Sequence, residues 1–239
     1  MKFKNIHIIG YGVMGRLLRQ RIDKFYGGNI VVSDRGEGII IPDGTEEGPS
    51  LVIIATPISA VTSICEQIAT LNPRHTHVCD VASTKSNYMR WRNIFKSAQK
   101  ENNTLHWGSY HPMVGPLAKD WDVKYWGRKC LQARLACSVS EHNILMNDFW
   151  RDLGFKVEQI DHERHDVLIG KLSHLSHYLI LKYVEFIEST MSKKEIALAG
   201  TSFEKFKEMA DGARRLGDIY ESNKHLPELV KEFEDFLKM

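Results

Sequence analysis

Gly10-Tyr11-Gly12-Val13-Met14-Gly15 follows the apolar run Ile6-His7-Ile8-Ile9 and leads into a helix-period stripe of Val13, Leu17, Leu18, Ile22 and Phe25. A G-x-G-x-x-G between strand and helix admits few folds. The first glycine makes a tight turn, the second lets backbone approach a pyrophosphate, and the third lets the helix pack on the strand. The helix N-terminus adds the positive end of a dipole. All six residues are therefore read as cofactor-binding. Asp34 lies 19 residues after Gly15 and closes the next apolar run, Ile30-Val31-Val32. This is close to the distance at which a carboxylate accepts hydrogen bonds from the adenosine ribose. A carboxylate there repels a 2′-phosphate and favours NAD, while Arg35 beside it leaves NADP open.

Short apolar runs continue to alternate with helix-period segments as far as Ile160. They include Leu51-Val52-Ile53-Ile54, His77-Val78-Cys79, Arg134-Leu135-Ala136-Cys137 and Lys156-Val157-Glu158. The expected fold class is α/β: a Rossmann-like, doubly wound, mostly parallel sheet over residues 1–160. Pro57 is expected to open a second helix and Ser140 to cap a third. After Asp161 the apolar period becomes helical for good, which predicts an all-helical domain over 161–239 for substrate binding and dimerisation. One long helix is expected from Asp161 to Thr190, with shorter ones around Phe203–Asn223 and Leu226–Lys238. Leu168, Leu172, Leu175, Leu179, Ile180, Val184 and Ile187 occupy more than one stripe of the long helix. Either an intrachain core or a homodimer can bury such a surface.

Strand C-termini in such a sheet gather around the ligand. Thr56 and Pro57, the segment Asp80-Val81-Ala82-Ser83-Thr84-Lys85, and His111-Pro112-Met113-Val114-Gly115 all fall there, with His111 read as a loop residue. An imidazole titrates near neutrality and suits removal of a hydroxyl proton as hydride leaves the same carbon. His111 is thus the candidate catalytic base. Ser83 either orients it or caps the helix starting near Asn87. In the helical half, Asp166, Gly170, Ser173 and His177 fall at i, i+4, i+7 and i+11 on one face, with His174 turned about 60° from His177. His174 and His177 lack a third nitrogen or sulfur ligand, so no metal is expected.

The 32 basic and 30 acidic residues nearly cancel, and no long run of like charge occurs. Nucleic acid and anionic membrane are therefore not expected partners; a small molecule is. No apolar leader precedes the first strand, and Cys65, Cys79, Cys130 and Cys137 are widely spaced without a C-x-x-C. The expectation is a cytoplasmic protein with reduced thiols, and with no domain appended to the two halves.

Taken together, these segments resemble the prephenate and arogenate dehydrogenase family. Gly10 to Gly15 is similar to its cofactor loop, Ala55-Thr56-Pro57-Ile58 to its T-P-I turn, and Asp80 to Lys85 to its D-x-x-S-x-K segment. His111 to Gly115 matches H-P-M-x-G, and His165-Asp166 with Ser173-His174-Leu175-Ser176-His177 is similar to H-D followed by S-H-L-P-H. Asp218 to Asn223 is similar to D-I-x-x-S-N. The resemblance implies His111 as base supported by Ser83, and substrate held by His177 and His174. The arginine that should bind the ring carboxylate is not clearly placed; counting back from Asn223 gives Lys207, and a small gap gives Arg214 or Arg215. The implied reaction is oxidative decarboxylation of prephenate or arogenate with NAD, in tyrosine biosynthesis. A β-hydroxyacid or imine reductase would share the architecture, although Lys171, the only lysine beside the histidine cluster, lacks the glycine-rich stretch such enzymes place before theirs. A non-catalytic NAD-binding sensor is the third reading.

Overall fold

Leu51 to Ile54 is an unbroken apolar run, and Ile6 to Ile9 one interrupted only by the buried His7, because the sheet they enter is covered on both faces. The computed structural model describes residues 2–39, 41, 43–114, 127–134, 141–215 and 222–239. The chain divides into two compact units, Met1–His165 and Asp166–Met239. The first contains β1 (Asn5–Ile9), α1 (Val13–Phe25), β2 (Asn29–Ser33), β3 (Ser50–Ile54), α2 (Ile58–Leu71) and β4 (Thr76–Asp80). It continues through α3 (Tyr88–Ala98), β5 (Leu105–Pro112), β6 (Lys129–Arg134), α4 (Glu141–Asp152) and β7 (Lys156–Asp161).

These strands form one sheet in the order β2-β1-β3-β4-β5-β6-β7, with every neighbouring pair parallel except β5 and β6. The pleat sends Ile6, Ile8, Leu51 and Ile53 to one face, where Leu18 and Ile22 of α1 and Phe149 and Trp150 of α4 cover them. Val52, Ile54 and Val78 face the other way, onto Val61 and Ile68 of α2 and Trp91 and Phe95 of α3. The buried Arg21 of α1 donates from Nε to the Leu153 carbonyl at 2.6 Å and lies 5.2 Å from the Phe25 and Phe155 rings. That contact ties the glycine-loop helix to the chain 132 residues further on.

In the first unit three elements differ from the sequence reading. His111 is not in a loop but near the end of β5, and Pro112 closes that strand. The segment has little apolar alternation, and its proline is tolerated at a strand terminus. The sixth strand, Lys129–Arg134, begins five residues before the expected run Arg134–Cys137 and shares Arg134 with it; residues 135–137 and Ser140 lie outside the described residues. Pro57 is the N-cap of α2 rather than its first residue.

Three histidines meet between β4, β5 and α4. His77 and His106 are register partners, and the His77 ring stacks on His142 at 4.9 Å with Nδ1 to Nδ1 at 2.8 Å. A hydrogen bond between two ring nitrogens needs one neutral acceptor. Burial, then His106, pushes His77 down to about 3, and burial, then His77 and His106, holds His142 well below the ordinary value. The unfolded chain therefore binds protons below pH 6.5 that the native fold refuses. The stability is complete above that pH and is lost as pH falls, by about 1.4 kcal/mol per pH unit for each imidazole. Urea midpoints should fall from pH 7 to pH 5, and a His77→Phe, His142→Leu double variant should show a shallower dependence. An equally steep dependence in the double variant would sink this assignment.

The second unit is helical. α5 (His162–Ile169), a π-helical turn at Gly170–His174 and α6 (Leu175–Thr190) run end to end, starting in the last residues of the first unit. They are followed by α7 (Lys193–Ile196), α8 (Thr201–Arg215) and α9 (Leu226–Phe236). Ser192 and Glu195 form a capping box at α7, a short helix that the sequence reading missed although S-x-x-E spells it. The π turn overturns the expected polar stripe. An extra residue per turn rotates everything after it, so Asp166, Gly170 and His174 are buried together while Ser173 and His177 are only half-buried. Of the apolar positions proposed for the long helix, Val184 is buried, whereas Leu168 is 39% and Leu172 69% exposed.

Candidate active site

The parallel register aligns Ile9 of β1 with Ser33, with Ile54 and, through Ile54, with Asp80 and Ser109. The residues that follow these strand positions, Gly10, Asp34, Ala55-Thr56, Val81 to Lys85 and Tyr110-His111, therefore share the carboxyl edge of the sheet. Ligands bind there in doubly wound folds.

Gly10 has φ +99°, and a Cβ on it would stand 2.7 Å from the Ala55 carbonyl oxygen. A Cβ on Gly15 would run into the Gly10 carbonyl, so the turn and the first turn of α1 can close only without side chains. Gly12, the N-cap of α1, has nothing within 4 Å of its missing Cβ and is exposed. The cradle thus excludes side chains from within and leaves its mouth open, as close approach of a pyrophosphate to the helix N-terminus requires. Tyr11 and Val13 are exposed beside it and Met14 is half-buried. Asp34 and Arg35 are exposed one step beyond β2, and the Asp34 N–H donates to Glu37 Oε2 at 2.8 Å. Thr56 is half-buried, and its Oγ1 has no partner among the described residues. These residues fit a dinucleotide.

The segment after β4 is braced from inside. Lys85 Nζ, fully buried, donates to Asp80 Oδ1 at 2.8 Å and to the Tyr110 carbonyl at 2.9 Å, and the Ala82 N–H donates to the same carboxylate at 3.2 Å. The pair holds the loop carrying the half-buried Ser83 against the residue preceding His111. Ser83 is not the cap of α3; that position is Asn87. His111 is half-buried, and its Nδ1 lies 3.1 Å from Nε2 of His165, itself fully buried. The sequence reading named His165, Asp80 and Lys85 only as parts of motifs. The signal for their roles was charge and imidazole at positions that otherwise read as core.

In the helical unit, Asn223 Nδ2 donates to the Asp166 carbonyl at 3.0 Å and meets His174 Nδ1 at 2.9 Å. His174 is thus tied into the buried junction of the π turn with the segment before α9. A Cβ on Gly170 would stand 2.6 Å from Leu229 Cδ1. Burial lowers the proton affinity of His177. Arg214 pairs with Glu188 at 2.9 Å and Asp211 at 2.8 Å, and Lys207 lies 3.8 Å from Glu188; both cations are exposed. The Arg215 side chain, Asp218 to Glu221 and Gly115 lie outside the described residues. Lys171 is exposed and paired with Glu232 at 2.9 Å. Among the described residues, no group of three or more His, Cys, Asp or Glu side chains could hold a metal, and no helix is long and apolar enough to cross a membrane.

A glycine cradle at the carboxyl edge of a doubly wound sheet, with a helical unit following, is the architecture of dinucleotide-binding dehydrogenases. In sequence the chain is similar to a cyclohexadienyl and a prephenate dehydrogenase, and in fold to prephenate and arogenate dehydrogenases. It is 20% identical over 226 residues to the cyclohexadienyl dehydrogenase of Zymomonas mobilis subsp. mobilis, covering 86% of this chain and 75% of that one. It is 28% identical over 196 residues to the prephenate dehydrogenase of Lactococcus lactis subsp. cremoris, covering 74% of this chain and 52%, about half, of the relative. Its fold matches that of the A. aeolicus prephenate dehydrogenase solved with hydroxyphenyl propionate and NAD+. The TM-score is 0.77 at 19% identity, over 100% of this chain and 89% of that one. The Synechocystis arogenate dehydrogenase matches with a TM-score of 0.67 at 13% identity, over 98% and 89% of the two chains. No protein-family model matches the chain.

Proposed function

We propose that this protein is an NAD-dependent dehydrogenase that oxidatively decarboxylates prephenate or arogenate, giving 4-hydroxyphenylpyruvate or tyrosine. The observation that carries the reading is the alignment of the glycine cradle and His111 on one sheet edge. Gly10 to Gly15 would hold the pyrophosphate, Asp34 the adenosine ribose, and Thr56 and Pro57 the floor beside the loop. Bound NAD supplies the hydride acceptor. His111 removes the proton of the ring hydroxyl as the carbon bearing it is oxidised, and Ser83 supports the imidazole. The ring carboxylate leaves as CO2, and aromatisation makes the step effectively irreversible.

By the family resemblance, His177 and His174 help to hold substrate, and Lys207, Arg214 or Arg215 supplies the cation for the ring carboxylate. Exposed Leu172, Phe186 and Leu198 on the helical unit support a homodimer formed through that unit. Buried, free Cys65, Cys79 and Cys130 accord with a cytoplasmic location. Steady-state kinetics with prephenate and arogenate, each with NAD and with NADP, test the reading. Turnover with at least one of the two acids and a preference for NAD are expected. No turnover with either acid would overturn it.

A further inference from the structure

The hydrogen-bonding geometry around His111 points to His165 as a positioning residue: we infer that its Nε2 accepts the Nδ1–H of His111 and thereby fixes the tautomer that can act as a base. The inference rests on the proposed role of His111. A neutral imidazole has one N–H and one bare nitrogen. The 3.1 Å contact joins His111 Nδ1 to His165 Nε2, so one of these two nitrogens carries the shared proton. If His165 donated, His111 would hold its own proton on Nε2 and could not remove another there. With His165 accepting, Nε2 of His111 is bare, and the imidazolium formed on proton uptake keeps its Nδ1–H paired. A carboxylate performs the same service for the histidine of a serine-protease triad, where the wrong tautomer costs about 10⁴ in turnover.

The fold holds the acceptor in place. β7 ends at Asp161, whose Oδ1 accepts from the Glu163 and Arg164 N–H groups at 3.0 and 3.2 Å and so caps the helix that follows. His165, in that first turn, is fully buried, and its ring centroid lies 5.2 Å from that of His111 at 59°. Burial suits an acceptor of this kind, because a neutral imidazole brings no second charge beside the base, as a carboxylate would.

The tautomer of His111 can be read without turnover, from nitrogen-15 shifts of its ring in the full-length protein near pH 8. The expected spectrum has a protonated Nδ1 and a bare Nε2. His165→Phe removes the acceptor and should move the population towards Nε2–H, whereas His165→Gln offers an amide oxygen near the place of Nε2 and should restore Nδ1–H. In turnover, His165→Phe should lower kcat about 10²-fold or more with KM and NAD affinity little changed, and His165→Gln should recover most of it. A His111 already protonated on Nε2 in the unaltered protein overturns the inference, as does a kcat that His165→Phe leaves intact. Absence of turnover in the unaltered protein with the expected tautomer present would instead count against the proposed reaction alone.

Discussion

His111→Asn should lower turnover by about 10² to 10⁴-fold while leaving NAD affinity as it is. Asparagine keeps roughly the shape of the imidazole but cannot take up a proton at neutral pH. The glycine cradle is built by β1, β3 and α1, whereas His111 lies in β5, so the cofactor should still bind. Single-turnover kinetics separates the two effects: the chemical step slows while the NAD dissociation constant stays within about twofold. A variant that turns over at the original rate would remove His111 from the role of base. One that loses NAD binding in proportion would make it a cofactor contact instead.

Lys85→Met should cost about 3–5 kcal/mol of stability, because it strands the carboxylate of Asp80 in a site with no exposure. The damage comes from the abandoned charge rather than from the value of the ion pair. An Asp80→Leu, Lys85→Met double variant should therefore regain much of the loss. Both variants also free the Tyr110 carbonyl from Lys85, so activity should fall even where the fold survives. Equilibrium unfolding in urea measures the first effect. A loss below about 1 kcal/mol in the single variant would show that the buried amine holds little.

The first unit was largely legible because its signals are local. A strand buried on both faces, such as β3 with its run Leu51 to Ile54, announces itself, and the glycine loop sits between the apolar run of β1 and the helical stripe of α1. β5 was not legible: Leu105-His-Trp-Gly-Ser-Tyr-His-Pro lacks an apolar run, and its place is fixed by β4 on one side and an antiparallel β6 on the other. The π turn at Gly170–His174 could not be read from spacing, since residue spacing marks a face only along an unbroken α-helix. Gly170 has its reason only once Leu229 and Asn223 are seen against it. At the site, His111 stood out because its chemistry was sought at a strand end. His165 did not, because its partner is 54 residues away and only the packing of the helix after β7 joins them.

The proposed chemistry is tested most directly by following NADH and CO2 together as the purified protein consumes prephenate, or arogenate, in the presence of NAD. The account predicts equal amounts of both, matched by an aromatic product that retains the para-hydroxyl group formed from the ring alcohol. NADH formed without CO2, or an aromatic product formed without NADH, would contradict it.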